Sequence, residues 1–148
     1  MSDNSNSKTY KSRSDYRHFI TIPTRWMDND VYGHVNNVQY YSYFDTAVNR
    51  YLIDQGVLDI HHSEVIGLVV KTQCNYFRSI AFPEDVTAGV AVSKLGNSSV
   101  CYEIGLFKDG ETDAAAQGHF IHVYVDRASQ RPVALPTALR TVLEQIAS

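Results

Sequence analysis

The amino-acid sequence predicts an α+β fold in which one long central helix packs against a curved antiparallel sheet of about five strands, followed by a short C-terminal helix. Two observations support this prediction. Apolar residues recur at helical spacing through residues 37–55, and most of the chain beyond them alternates apolar and polar residues in runs bounded by turn signals. Short turns between successive strands favour antiparallel pairing.

The first predicted strand covers residues 18–25, where Phe19 and Ile20 point to opposite faces of a sheet. Pro23 lies inside this strand. Because proline has no backbone N–H to donate, we expect the strand to lie at an edge of the sheet.

The long helix is predicted from Asn37 to Gln55. Asn36 is a suitable N-cap, because its short side chain can accept a hydrogen bond from a backbone N–H. Gly56 is well placed to end the helix, where a positive φ is often needed. The expected packed face consists of Val38, Tyr41, Phe44 or Asp45, Val48 and Leu52, widened by Tyr40, Ala47 and Tyr51.

Four further strands are predicted after the helix, at residues 65–77, 85–95, 100–106 and 114–126. Gly96-Asn97 and Asp109-Gly110 are turn signals between them. In the last strand one face carries His119, Ile121, Val123 and Val125. The short C-terminal helix is predicted from Pro136 and the periodic residues Leu139, Val142, Leu143 and Ile146.

Length and composition indicate one ordinary globular domain at residues 17–148, preceded by a disordered tail at residues 1–16. The net charge of −3 argues against a general nucleic-acid binder. We expect no signal peptide and no membrane segment, and therefore a cytoplasmic protein. Cys74 and Cys101 lie in apolar runs and are expected to be small core residues rather than a disulfide.

One helix about 10 Å wide cannot cover a sheet of five strands. The uncovered face and edges need a partner, so we expect a homodimer or a larger oligomer.

An acidic loop at residues 25–37 directly precedes the long helix. Backbone N–H groups at a helix start are unpaired, so a carboxylate beside them can attack or activate at a carbonyl whose oxygen they hold. Asp30 is the best candidate, although an aspartate in a loop often only caps a helix or closes a turn. His34 is the alternative base. Asp28 is expected to be structural, holding Arg25 or a loop N–H, and no metal site is expected from these three side chains.

The loop resembles that of the hotdog-fold acyl-CoA thioesterases of the 4-hydroxybenzoyl-CoA thioesterase type. The resemblance extends from about residue 18 to residue 143. Its motifs are the run from Asp28 to Asn37, Tyr40, the run Tyr43-Phe44-Asp45, the hairpin from Lys94 to Ser99 and the segment from Arg131 to Pro136.

The resemblance implies a hotdog fold and hydrolysis of an acyl-CoA thioester. It implies that Asp30 is the catalytic carboxylate and that the backbone N–H of Asn37, with Asn36 and Val38 as neighbours, holds the thioester oxygen. Nucleophilic attack by Asp30 and general-base activation of water both stay open. The implied enzyme needs no metal or redox cofactor, and its site lies at the subunit interface of a homodimer or homotetramer.

Coenzyme A carries phosphates, so cations and hydrogen-bond donors are expected near the mouth of the site. The resemblance favours the hairpin residues Lys94, Asn97, Ser98 and Ser99, and other candidate cations are Lys71, Arg78 and Lys108. Gly33 is expected to allow a tight turn close to substrate. Expected neighbours of the acyl group are Tyr32, Tyr40, Tyr43 and Phe77.

Three alternatives accompany this interpretation. Asp45 is a rival catalytic carboxylate, because a related clade uses a helix carboxylate; we favour a structural role in which Asp45 hydrogen-bonds the loop. Asp30 with His34 crudely imitates the acid and histidine pair of hotdog enoyl-thioester hydratases. A non-enzymatic acyl-thioester binding module is the third alternative.

Overall fold

The structure is a computed structural model that describes residues 10–147. Its regular elements are β1 (His18–Pro23), α1 (Asn37–Asp54), β2 (Val65–Tyr76), β3 (Asp85–Leu95), β4 (Ser99–Lys108), β5 (Ala116–Asp126) and α2 (Thr137–Glu144). This order confirms the predicted α+β fold with one long helix, five strands and a short C-terminal helix. No helix in the described range is long and apolar enough to cross a membrane.

All five strands form one antiparallel sheet in the order β1-β3-β4-β5-β2. The prediction that Pro23 marks an edge strand is confirmed, because β1 lies at one edge. The sheet has two ends that matter for the site. At the loop end, β1 finishes at Pro23 and β2 finishes at Tyr76, whereas at the hairpin end β2 begins at Val65 and the β3–β4 hairpin turns through Asn97.

The predicted limits of α1 are confirmed to within one residue. The side chain of Asn36 accepts a hydrogen bond from the N–H of Val38 at 3.1 Å, and Gly56 has a φ of 75° at the other end. The helix buries Tyr40, Tyr43, Phe44, Ala47, Val48, Tyr51 and Leu52. Val38 was wrongly predicted to share this face: it is 67% exposed in the first turn of the helix.

The close approach of α1 to the sheet depends on a glycine in β5. A Cβ added at Gly118 would collide with the ring of Phe44, which is completely buried. The face of β5 that carries Gly118 is therefore the buried face. His119, Ile121 and Val123 lie half-buried on the outer face.

β2 departs from regular alternation. Val69 pairs with His122 and Lys71 pairs with Ile121, so Val70 is a bulge between them. Leu68, Val69 and Val70 are exposed by 39%, 47% and 61% of their surface. This long edge strand therefore presents an apolar surface that α1 does not cover.

The predicted tail of residues 1–16 is too long. Its first nine residues lie outside the described range, but Tyr10 and Tyr16 are buried, and Tyr16 packs on the outer face of the sheet against Gly89 and Gly105. The N–H of Arg13 donates to the carbonyl oxygen of Thr112 at 2.9 Å. The ordered domain thus includes Tyr10 and Tyr16, and two glycines that are distant in sequence leave room for the Tyr16 ring.

The other end of the chain closes the core as predicted. α2 buries Leu139, Val142 and Leu143, and the hydroxyl of Tyr51 donates to the carbonyl oxygen of Val142 at 2.8 Å. Cys74 and Cys101 are both free thiols and half-buried. Cys74 packs against the core, whereas Cys101 lies on the outer face, where its thiol donates to Glu103.

Candidate active site

The acidic loop is held to α1 by the buried carboxylate of Asp28, which has no exposed side-chain surface. One carboxylate oxygen accepts hydrogen bonds from the N–H of Arg25 at 2.8 Å and from the hydroxyl of Tyr43 at 2.7 Å. The other oxygen accepts from the Arg25 guanidinium at 2.8 and 3.0 Å. Because Tyr43 belongs to α1, this one carboxylate connects the loop to the helix. The expected structural contact between Asp28 and Arg25 is therefore present.

Burial alone would raise the pKa of Asp28, but the hydrogen bonds from Tyr43 and Arg25 outweigh it and lower the pKa below its ordinary value. Asp28 is therefore ionised at neutral pH. Burial and the hydrogen bond to Asp28 raise the pKa of Tyr43, so its hydroxyl stays a donor.

Asp30 lies in a tight turn that Gly33 closes. The N–H of Gly33 donates to the carbonyl oxygen of Asp30 at 3.1 Å, and Gly33 has a φ of 82°, a conformation that favours glycine. Asp30 Oδ1 accepts from the N–H of Tyr32 at 2.9 Å and, more weakly, from the N–H of His34 at 3.4 Å. Asp30 Oδ2 accepts no hydrogen bond from any residue in the range 10–147, so this oxygen is available for chemistry.

The N–H of Asn37 is a free donor at the start of α1. Asn36 N–H donates to the carbonyl oxygen of Asp28 at 2.8 Å, and the N–H groups of Val38 and Gln39 donate back to Asn36. No acceptor for the Asn37 N–H lies within the described chain. The loop and the helix cap therefore supply acceptors for the N–H groups of Asn36, Val38 and Gln39, and the Asn37 N–H is left unpaired among the described residues.

One open cavity of about 310 Å³ brings the two groups together. It lies at the loop end of the sheet and is lined by Asp30, His34, Val35, Asn37, Tyr40, Tyr76, Phe77, Arg78 and Ser79. The Tyr40 and Tyr76 rings meet edge to face with centroids 4.9 Å apart, and the Tyr76 hydroxyl reaches the carbonyl oxygen of Asn37 at 3.5 Å. A carboxylate, an unpaired N–H and an aromatic wall therefore share one space.

Other loop residues take different positions. His34 lines the cavity, but its exposed ring makes no hydrogen bond to a described residue. Asn36 uses its side chain as the helix cap. Tyr32 is 83% exposed and lies outside the cavity lining, and Tyr43 is committed to Asp28. Of the four expected acyl neighbours, Tyr40 and Phe77 are the two that line the cavity.

The hairpin that carries Lys94, Asn97, Ser98 and Ser99 is not near Asp30 in the same chain. It lies at the hairpin end of the sheet, where Leu135 N–H donates to the carbonyl oxygen of Asn97 at 2.9 Å and Arg140 donates to that of Gly96 at 2.6 Å. The structure therefore separates the predicted site residues into two groups at opposite ends of one chain. Antiparallel strand order, rather than spacing in the sequence, determines this separation.

Arg78 is the candidate cation that lines the cavity. Its guanidinium contacts Glu111 at 2.6 Å and donates to the carbonyl oxygen of Asp113 at 2.7 Å, which orients it at the mouth. Lys108 lies at the same end of the sheet, 3.4 Å from the carboxylate of Glu84. Lys71 is exposed in the middle of β2.

Asp45 does not bind the loop. Its side chain is exposed on α1 and forms no hydrogen bond or ion pair with any described residue, while Asp28 and Tyr43 connect the loop to the helix instead. Partial desolvation raises the pKa of Asp45 above its ordinary value. Within residues 10–147, no three His, Cys, Asp or Glu side chains cluster as metal ligands.

Sequence reasoning missed Tyr76 and Ser79, which line the cavity. Both follow from the topology, because β2 ends beside the start of α1. It also missed His122, a buried histidine at the hairpin end. Its only signal in the sequence is a histidine at an apolar position of an alternating strand.

Comparison with known proteins identifies the family. Residues 24–143 match the thioesterase-like superfamily. The chain therefore belongs to this superfamily, and its curved sheet around one long helix is the hotdog fold.

Several known proteins are similar to this chain. The chain is 55% identical to the PA5185 protein from Pseudomonas aeruginosa strain PAO1, whose crystal structure superposes with a TM-score of 0.91 over 94% of this chain and 98% of that one. It is 20% identical to BH1999 gentisyl-coenzyme A thioesterase, with a TM-score of 0.76 over 85% of this chain and 99% of that one. It is also 24% identical to the protein YsmA of Bacillus subtilis strain 168 over 82% of this chain and 81% of YsmA.

Replacing Asp28 by Asn is expected to lower the free energy of unfolding by about 1–3 kcal/mol at pH 7, because buried hydrogen bonds to a charged group are lost. The lowered pKa sets the sign of the pH dependence: the stabilisation is complete above the ordinary pKa of about 4 and disappears as pH falls through the folded value. Urea denaturation at pH 7 and pH 3 should therefore show the gap between wild type and Asp28→Asn shrinking in acid.

The matched control for this prediction is Asp54→Asn. Asp54 pairs with Arg50 on the exposed side of α1, and such pairs contribute under about 1 kcal/mol. A gap for Asp28→Asn that stays constant with pH would contradict the proposed contribution of its charge.

Proposed function

We propose that this protein is an acyl-CoA thioesterase in which Asp30 acts on the thioester carbonyl. The observation that carries the proposal is that two groups without a hydrogen-bond partner among residues 10–147, a carboxylate oxygen of Asp30 and the N–H of Asn37, line the same cavity. These are the two groups that acyl transfer needs, because one delivers or activates the nucleophile and the other holds the developing oxyanion.

The chemistry uses both groups in either of two routes. In the first, Asp30 Oδ2 attacks the carbonyl carbon, and the electron pair of the C=O bond moves to the oxygen near the Asn37 N–H. Collapse of this intermediate breaks the C–S bond and releases CoA thiolate, and water then hydrolyses the acyl-aspartyl anhydride. In the second route Asp30 takes a proton from water as that water attacks, and the thiolate leaves with a proton.

The coenzyme A part of the proposal rests on charge and on relatives. Arg78 places a guanidinium at the cavity mouth, where it could contact a phosphate. One structure of the same fold is a gentisyl-coenzyme A thioesterase, which makes a CoA thioester a reasonable substrate class for this chain. The Lys94–Ser99 hairpin supports the same class only if another copy of the chain brings it near Asp30.

We propose a homodimer formed through β2. The two edges of the sheet differ, because β1 has 6 residues and contains Pro23, whereas β2 has 12 residues and exposes Leu68, Val69 and Val70. A long apolar edge strand is a template for pairing, and antiparallel pairing of β2 with its copy would satisfy the free backbone groups. It would also bring the loop end of one chain beside the hairpin end of the other.

The first test is thiol release from a panel of acyl-CoAs with short, medium and long aliphatic chains and with benzoyl and phenylacetyl groups. We expect wild type to hydrolyse at least one member and Asp30→Asn to lose about 100-fold or more in kcat. If Asp30→Asn keeps its turnover, the catalytic group is His34 or Asp45 rather than Asp30. If the folded wild type hydrolyses no member of the panel, a binding module is favoured. Loss of enoyl absorbance with crotonyl-CoA would identify a hydratase.

The Asn37 N–H can be removed without deleting the helix. Asn37 is the first residue of α1, a position where proline is well tolerated, and Asn36 already has the extended backbone, with φ −64° and ψ 142°, that a following proline requires. Asn37→Pro is expected to lower kcat by about 100- to 1,000-fold, because one oxyanion donor is lost.

Asn37→Ala is the control, since it removes the side chain and keeps the N–H. It should retain most of the activity, and thermal denaturation should show that both variants stay folded. Equal losses in the two variants would place the important interaction in the side chain rather than in the N–H.

The dimer is tested by Val70→Glu, followed by analytical ultracentrifugation. Val70 lies near the middle of β2 and is 61% exposed in the single chain, so an introduced carboxylate would lie within the apolar surface that pairing covers, and we expect a shift from dimer to monomer. Thr21→Glu, at an exposed position of the β1 edge, should leave the dimer intact. A dimer that survives Val70→Glu but not Thr21→Glu would place the interface at β1.

A further inference from the structure

A second cavity, of about 400 Å³, lies at the hairpin end of the sheet. Its walls come from the second half of α1, the segment after that helix, the start of β2 and the end of β5, and they include Leu52, Leu58, Ile66, Gly67, His122 and Tyr124. This volume is within the range of small-molecule sites in proteins, and the walls are mostly apolar.

His122 is a buried polar residue in the wall of this cavity. It is 6% exposed, and its Nε2 atom is enclosed without a hydrogen-bond partner in the described part of the chain. Gly67 lies against the other ring nitrogen: a Cβ there would come within 2.9 Å of His122 Nδ1, so the missing side chain leaves that edge of the ring uncovered. Burial lowers the pKa of His122 to about 4, and the ring is therefore neutral at pH 7.

A buried imidazole without a hydrogen bond is costly, and native proteins rarely keep such a group without a reason. No residue in the range 10–147 forms a hydrogen bond with either ring nitrogen of His122. An apolar cavity with one uncompensated polar edge is suited to a mostly apolar ligand that reaches this histidine.

Asp30 of the same chain is too far from this cavity to share a small acyl group with it. Asn37 and Leu52 lie at opposite ends of α1, and 15 residues of helix span about 22 Å. The two cavities also lie at opposite ends of β2, because Tyr76 lines one cavity and Ile66 and Gly67 line the other.

If β2 pairs with the β2 strand of a second copy, the Asp30 cavity of one chain comes close to the His122 cavity of the other. Antiparallel pairing about the strand centre sets Ile66 of one chain opposite Asn75 of the other and Gly67 opposite Cys74, one strand spacing of about 4.8 Å away. Both residues then lie within two positions of the second chain's Tyr76 along the strand. Each Asp30 cavity would then adjoin the His122 cavity of the second copy.

We propose that the His122 cavity binds the acyl group of the thioester that Asp30 of the second copy cleaves. The inference rests on the proposed function and adds a specificity site supplied in trans. Leu52, Leu58 and Ile66 contact the acyl group, and His122 provides the polar edge of the site.

The test uses Leu58→Trp, which fills the cavity from a segment outside the sheet, and Gly67→Val, which covers His122 from β2. With the longest acyl-CoA that wild type hydrolyses, either variant is expected to lose at least tenfold in kcat/KM relative to its change with acetyl-CoA. Because Gly67→Val lies in the proposed interface, Leu58→Trp decides the result if Gly67→Val fails to fold or to dimerise. Equal losses with both substrates would overturn the acyl-binding role.

Mixed dimers then decide between one chain and two. Chains carrying Asp30→Asn and chains carrying Leu58→Trp are given different affinity tags, coexpressed and purified as heterodimers. If each site combines Asp30 of one chain with the cavity of the other, one of the two sites is intact, and the heterodimer recovers about half of the wild-type rate on the long substrate.

If one chain supplied both parts, each site would be damaged and the heterodimer would be no faster than the mean of the two variant homodimers. That result would overturn the proposal while leaving the thioesterase assignment intact. The assignment itself fails separately, when wild type hydrolyses no acyl-CoA or when Asp30→Asn keeps the wild-type rate.

Discussion

The arrangement of the candidate site depends on one buried charge. Asp28 accepts hydrogen bonds from the loop through Arg25 and from α1 through Tyr43, and its own carbonyl oxygen accepts the N–H of Asn36. An ionised carboxylate is costly to bury unless its lone pairs are satisfied, and here both oxygens have donors. The first aspartate of the loop, Asp28, therefore fixes the position of the helix start. The second aspartate, Asp30, keeps one carboxylate oxygen that accepts no hydrogen bond from a described residue.

Much of the fold could be predicted because local chemistry specifies it. Asn36 and Gly56 delimit the helix, and Pro23 excludes its strand from the centre of the sheet. The buried position of Tyr16 could not be predicted in the same way. It depends on the empty space over Gly89 and Gly105, two glycines far away in sequence whose alignment is known only once β3 and β4 are paired.

The meeting of the Asp30 loop with the helix start could be predicted from the sequence, whereas the other residues around the site could not. The Asp30 loop and the helix start adjoin in sequence, so their meeting follows from the motif. The contribution of Tyr76 depends on which end of β2 approaches α1, and the distance between Asp30 and the Lys94–Ser99 hairpin depends on strand direction. His122 gave no signal beyond a polar residue at an apolar position, because its missing partners become apparent only with the packing around it.

The unequal edges of the sheet have a consequence for how the chain behaves at high concentration. Pairing through identical copies of one edge is self-limiting: it consumes the reactive strand on both chains and leaves only β1 at each end of the enlarged sheet. β1 is short, and the proline at position 23 cannot extend a backbone ladder. If the proposed dimer forms, association by this route would stop at a closed pair and would not grow into open filaments.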